Sequence, residues 1–396
     1  MNEAATEDRA TRRTPLRTLV GDASGAVADL GVLVPLAAAL ILVNGLDAGA
    51  VFVGAGLLVV AAGLAFRIPF PVQPLKALTA VAVARELAPD VIHAAGLELA
   101  AFLLLLSIGH VADLVARLFV KPVVRALQLG VGTLLIVAAG RLVIDPPSVF
   151  VGTPESPWPM VLAAVAFAGV ALAARRRRYG GALLLFAAGV SVTLVVASPA
   201  LGTPELRLPA LGLPPAGAFA AAFFLLVVPQ LPLTFGNAVV AVNDLAHEYF
   251  GAAADRVTPS RVCLSAGAGN VAAALLGGMP MCHGAGGLTA HVRLGARMAR
   301  MNLVLGGAFL VLGLVFAAHI PAVLGLVPVW VLSAFLAYAG FRHAWLVADL
   351  RGPSLPIALV AGLLGAWLGN LAVTAGLALL LEHGFRRARR RFAVGA

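Results

Sequence analysis

The chain has 396 residues, 61% of them hydrophobic and only 12% charged, against about 25% charged in an average soluble domain. A soluble globule this apolar lacks the polar groups to cover its own surface, so the composition excludes that class. The net charge of +10 sits at the chain ends and in short loops: Arg9, Arg12, Arg13 and Arg17, the run Arg175 to Arg178, and Arg386, Arg387, Arg389, Arg390 and Arg391. That is the positive-inside pattern of a membrane protein, and it excludes the one-faced basic patch of a nucleic-acid binder.

In chain order, a polar, basic tail over 1–17 has the character of a cytoplasmic tail and not of a cleaved leader. The first apolar run extends from Val20 to Val43 with Asp22 and Asp29 embedded in it, and the second from Ala48 to Phe66. Pro69, Pro71 and Pro74 then exclude helix interior and leave an extended stretch. It feeds a short helix from Leu75 to Ala88. A fourth span covers Val91 to His110, the basic segment Arg117 to Arg125 follows, and a fifth runs from Ala126 to Val143. The loop from Ile144 to Pro159 holds no Lys or Arg and reads as external; the sixth span ends at the arginine run and the seventh covers Gly181 to Ala197. After a proline-containing loop, an apolar stretch from Ala216 to Asp244 is expected to bend at Pro229-Gln230-Leu231-Pro232. The ninth span, Ser260 to Leu276, leads through Gly277 to Gly287 into a second short helix ending near Ala296. The remaining spans are Met301 to His319, Ala322 to Tyr338, and two short ones joined at Gly369-Asn370.

The reading is therefore an all-α polytopic membrane protein of about fourteen transmembrane segments, with both termini on the cytoplasmic side of an inner (plasma) membrane. The chain also repeats itself. Ile68-Pro69-Phe70-Pro71 aligns with Met279-Pro280-Met281-Cys282, and Leu78-Thr79-Ala80 with Leu288-Thr289-Ala290. Seven segments per half inverts the second copy, giving repeats over 18–198 and 216–383 and a basic tail over 384–396. Matched short helices at segments 3 and 10 of inverted halves point to a transporter's binding site.

Two such helix starts suit an anion. Each N-terminus carries unpaired N–H groups and about half a positive charge, and Lys76, in the first turn of the first short helix, adds a full one. Together they match a dianion, and glycine at Gly284, Gly286 and Gly287 lets it approach the backbone. Gln73 serves either ligand or freed carbonyls, His283 serves either ligand or packing, and Cys282 fits packing better than chemistry. Asp29 and Glu98 lie inside apolar spans, where acids are functional by default; with His283 they are the candidates for proton coupling. Cys263 and Cys282 offer neither a disulfide framework nor metal spacing, and no cofactor is expected.

At these residues the chain resembles the molybdate-transporter family of the sulfate-permease superfamily. The longest match is Pro280-Met281-Cys282-His283-Gly284-Ala285-Gly286-Gly287-Leu288, continuing to His291, Arg293 and Gly295-Ala296-Arg297. Others are Pro71-Val72-Gln73-Pro74-Leu75-Lys76, Ser24-Gly25 with Asp29-Leu30-Gly31 and Pro35, and Gln230-Leu231-Pro232-Leu233-Thr234 with Gly236-Asn237-Ala238. Ala28, Val32 and Met298 depart from the family pattern. The regulatory domain that sulfate permeases carry after the last span is not expected here, which favours the molybdate branch.

The resemblance implies a core domain (spans in 18–115 and 216–319) moving against a gate domain (spans in 120–198 and 320–383), with the gate as the face through which a homodimer would form. It carries Asp29, Gln73, Lys76, Gln230, Asn237, Cys282, His283 and Gly284 over as substrate contacts. The expected function is secondary active transport of molybdate, with protons as the candidate coupling ion. Transport of sulfate or another oxyanion is the alternative within the superfamily, and an anion channel the alternative outside it. No nucleophile–base pair supports an enzyme.

Overall fold

The computed structural model describes residues 15–146, 158–176, 180–197 and 203–394. The basic tail ahead of residue 15, Arg177 and Arg178, and most of the loop expected over 144–159 lie outside them. The helices are α1 (Pro15–Leu42), α2 (Ala48–Phe66), α3 (Lys76–Ala84), α4 (Pro89–Ser107), α5 (Val111–Ala116), α6 (Lys121–Ile144), α7 (Trp158–Arg175) and α8 (Gly181–Ala197). The second half holds α9 (Gly217–Ala222), α10 (Val228–Leu233), α11 (Val242–Phe250), α12 (Pro259–Leu275), α13 (Ala285–Leu294), α14 (Arg300–Val315), α15 (Ile320–Gly325), α16 (Val329–Ala344), α17 (Ser354–Trp367) and α18 (Leu371–Val394). Two strands of two residues each, β1 (Gln73–Pro74) and β2 (Met281–Cys282), pair antiparallel.

Among the described residues six helices are long and apolar enough to cross a membrane, and eight spans result if each bent pair counts as one. At 9 and 10 residues, α3 and α13 are too short to do so, since a bilayer core of about 30 Å needs about 20 residues. The bend expected at Pro229 is present: wide π-turns at Phe223–Val227 and Thr234–Ala241 flank α10, which contains Pro232.

Some boundaries differ from expectation. The first short helix stops at Ala84, where Glu86 takes a left-handed conformation and Pro89 opens α4. The fifth span begins at Lys121, with Pro122 in its first turn, so Arg125 belongs to α6 and not to a loop. Segment eleven ends at Val315, and the chain turns sharply through α15, so the next long helix starts only at Val329.

Glycines set the helix crossings. A Cβ on Gly56 of α2 would lie 2.8 Å from the Gly306 carbonyl oxygen of α14, and one on Gly132 of α6 would lie 2.6 Å from the Gly340 carbonyl oxygen of α16. Between membrane helices this close approach replaces the hydrophobic drive that lipid removes. Helix α2 packs on α14 and α12 on α4, while α6 packs on α16 and α17.

Arg125 is only 1% exposed and reaches three elements. Its guanidinium donates to Asp244 (3.1 Å) and Glu248 (2.9 Å) of α11, to Asp349 beyond α16 (2.8 Å), and to Gln128 (2.9 Å). Lys121 also meets Asp349, at 2.8 Å.

Candidate functional site

The site is built on the two proline- and glycine-interrupted stretches. Gln73 stands opposite Cys282 and Pro74 opposite Met281, and the Leu75 N–H donates to the Pro280 carbonyl (3.2 Å). Prolines cannot continue this ladder, so two buried asparagines complete it. Asn270 of α12 accepts from the Met281 N–H (2.7 Å) and donates to the Met281 carbonyl (2.8 Å). Asn302 of α14 does the same for Phe70, at 2.9 and 2.6 Å. Phe70 and Met281 are equivalent positions of the two aligned motifs, so each half has its irregular backbone satisfied by one amide, as membrane depth requires.

Each strand runs into a short helix, and neither cap residue, Leu75 or Gly284, supplies a side-chain acceptor. The two helix starts therefore bring their positive ends toward one place. Lys76 Nζ lies there: a Cβ on Gly284 would sit 3.3 Å from it and 2.6 Å from Gln73 Oε1. The ammonium donates to Gln73 Oε1 (2.9 Å), and Gln73 Nε2 donates to Asp29 Oδ1 (2.8 Å). Asp29 Oδ2 lies 2.7 Å from His291 Nε2, a charge contact off the hydrogen-bonding direction. One chain of contacts, Lys76–Gln73–Asp29–His291, thus joins α1, α3 and α13. No carboxylate comes within 4 Å of Lys76 among the described residues; its partner is the neutral amide.

Two of the expected contact residues have both ends of their side chains occupied. Gln230 accepts from the Leu78 N–H (2.9 Å) and donates to Thr234 Oγ1 (2.9 Å), capping α3 from the bend of the eighth segment. His283 is fully buried against Phe66 and Phe70. Its Nδ1 donates to the Pro71 carbonyl (2.9 Å), and its Nε2 accepts from Ser265 Oγ (3.0 Å). Cys282 joins through its backbone pairing and is buried. Asn237 is buried in the π-turn beside α6, and its Oδ1 has no protein partner. Glu98 stands apart on α4, with Oε2 buried and unpartnered. No hydrogen bond joins Asn237 or Glu98 to the chain of contacts among the described residues.

Residues beyond those expected also belong here. His291 was legible only as part of the motif string. Asn270 and Asn302 carry the signal of a lone amide in an apolar helix. Asp22 proves to be a cap: its Oδ1 accepts from the N–H groups of Arg297 and Met298, and its Oδ2 from Arg300 Nε (2.5 Å). Ser24 Oγ, Thr79 Oγ1 and both ring nitrogens of His291 are buried without a hydrogen-bond partner on the elements that form the site. Such orphans are uncommon in folded proteins.

The fold defines the class: an integral membrane protein of packed, largely apolar helices. It superposes on the transmembrane domain of a cyanobacterium bicarbonate transporter, BicA, with a TM-score of 0.61 at 18% identity, over 92% of this chain and 98% of that one. It superposes on SLC26A9 with a TM-score of 0.56 at 12% identity, over 97% of this chain and 69% of that one. The chain belongs to the molybdate transporter family, since the family model described as "Molybdate transporter of MFS superfamily" matches residues 21–135 and 222–342. Molybdate transporter 2 of Arabidopsis thaliana is 30% identical, over 86% of this chain and 82% of its own length. Molybdate transporter 1 of Chlamydomonas reinhardtii is 30% identical, over 88% and 87%. The family description names the MFS superfamily, whereas the fold is the one shared with BicA and SLC26A9.

Proposed function

We propose that this protein is a secondary active transporter of molybdate, binding the tetrahedral dianion between the N-termini of α3 and α13. The observation that carries the reading is the Lys76 ammonium, held by Gln73 at the start of α13 with no carboxylate beside it. Its charge and two half-charges from the helix ends balance a dianion. The named relatives support molybdate as the substrate.

In this reading Lys76 and the first N–H groups of α3 and α13 contact the oxygens. Gly284 leaves them room, and Cys282 and Asn237 border the site. Gln73 orients Lys76, Gln230 caps α3, and His283 fixes the Pro71 turn. Asp29, with His291, is the candidate proton carrier, and Glu98 and His283 are the other groups to test. The fourteen segments form two inverted repeats, with both termini cytoplasmic in an inner (plasma) membrane. The matched pairings α2 with α14 and α12 with α4 support that symmetry. Alternating access moves the core spans (18–115, 216–319) against the gate spans (120–198, 320–383). The Arg125 network crosses that boundary, since Asp244 and Glu248 are on the core side and Arg125 and Asp349 on the gate side. It must open for the domains to move.

The test is thermal stabilisation of the purified protein by molybdate, tungstate and sulfate, since a ligand of the folded state raises stability by mass action. Stabilisation at micromolar molybdate, absent with sulfate, is expected. Stabilisation by sulfate alone would make the protein a sulfate carrier, and unsaturable flux in proteoliposomes would make it a channel.

A further inference from the structure

Away from the anion site, α2 and α12 run antiparallel and leave a groove of about 640 Å³ between them. Its walls are apolar and small: Leu57, Leu58, Leu264 and Ala268 line it along its length. Gly269 keeps it narrow at the base, where its Cβ would meet Leu58 at 2.5 Å. Arg256 and Arg261 also line it. The antiparallel pairing, with Gly54 opposite Ala273 and Leu58 opposite Gly269, puts Arg261 at the end where α2 finishes. Both arginines are exposed and have no carboxylate within 4 Å among the described residues. Arg67 follows α2 directly at the same end and is exposed. An apolar trough closed at one end by unpaired guanidinium groups has the amphipathic pattern of a membrane lipid with an anionic head.

We propose that this groove is a binding site for an anionic phospholipid, its phosphate on Arg256 and Arg261 and an acyl chain along Leu57, Leu264 and Ala268. Guanidinium groups bind phosphate oxygens through charge-assisted, often bidentate hydrogen bonds, and a membrane surface supplies the anion at high local concentration. The groove also touches the machinery of the anion site. Ser265 lines it, and the Ser265 hydroxyl holds His283, which in turn holds the Pro71 carbonyl ahead of Gln73 and Lys76. Lipid in the groove packs on the helix face that carries Ser265 and so supports the extended segment from outside.

Protein purified in a neutral detergent is titrated with phosphatidylglycerol, phosphatidylcholine or glycerol 3-phosphate, following the thermal midpoint and bound lipid by native mass spectrometry. Phosphatidylglycerol is expected to bind and raise the midpoint, and the other two to have little effect. A basic residue near a lipid surface contributes about fivefold in affinity, so Arg256→Gln with Arg261→Gln is expected to weaken binding about 25-fold. Ala268→Phe, which fills the trough, is expected to abolish it. Equal binding of phosphatidylcholine would overturn the proposal, as would an equal shift with glycerol 3-phosphate or undiminished binding by the double arginine variant. Both arginines are exposed, so that variant tests the idea even if Ala268→Phe does not fold. The outcome does not depend on which anion the protein carries.

Discussion

Gly284→Ala probes the site with one added carbon. The backbone at Gly284 is extended, with φ −69° and ψ 121°, so alanine fits the chain itself. The added Cβ, however, would stand 2.6 Å from Gln73 Oε1, well inside van der Waals contact. Gln73 can retreat only by loosening its bond to Asp29 (2.8 Å) or the one from Lys76 (2.9 Å). Each is charge-assisted and contributes about 1.5–3 kcal/mol; losing one corresponds to roughly 10- to 150-fold in affinity. Gly307→Ala, in α14 away from the site, is the internal control, because its Cβ would meet nothing within 4 Å. It should stay within about threefold of wild type, the range of benign substitutions. The assay is molybdate binding by calorimetry, with uptake into proteoliposomes read by elemental analysis. Equal affinities for the two variants would refute the placement of the anion at Gly284 and Lys76.

Lys76→Met removes the full positive charge at the helix starts and should weaken molybdate binding by about a hundredfold, the scale of about 3 kcal/mol for a hydrogen bond to a charged group; unchanged saturable uptake would exclude Lys76 from the site. Asn270→Ala strands the buried N–H and carbonyl of Met281 and should cost about 2–6 kcal/mol of stability, at about 1–3 kcal/mol per stranded group. Chemical denaturation measures it, and a wild-type midpoint would remove the clamp from the account. Arg125→Met leaves Asp244, Glu248 and Asp349 facing one another. With those acids 41%, 42% and 39% exposed, we expect a loss of about 1–3 kcal/mol, below the 3–5 kcal/mol of a fully buried broken pair. Adding Asp244→Asn should recover part of it, and no recovery would argue against charge repulsion. Asp29→Asn keeps the bond from Gln73 but removes the charge facing His291, so any pH dependence of uptake should flatten while molybdate affinity changes less than in Lys76→Met; a pH profile identical to wild type would exclude Asp29 as the proton carrier.

Much of this protein was legible in the chain because the relevant physics is local. The share of apolar residues dictates a bilayer as solvent, and three prolines between Arg67 and Pro74 forbid helix wherever the chain folds. A helix start after such a break has unpaired N–H groups and a positive end whatever packs around it, so the anion site proposed at Lys76 and Gly284 could be put forward from sequence. What each polar side chain does there was decided by tertiary structure. His283 lies in the most specific motif of the chain, yet both its nitrogens are taken by Pro71 and Ser265. Gln230 caps a helix in the other half of the chain, Asp29 faces His291 from the opposite half, and Arg125, read as a loop cation, is buried among three acids. Those partners come from segments far apart in the sequence. A hydrogen bond is fixed only when two helices cross at a given register, and the crossings depend on where glycines such as Gly56 and Gly306 let backbones touch. Local propensity sets which groups need partners, and only the packed fold sets which partners they get.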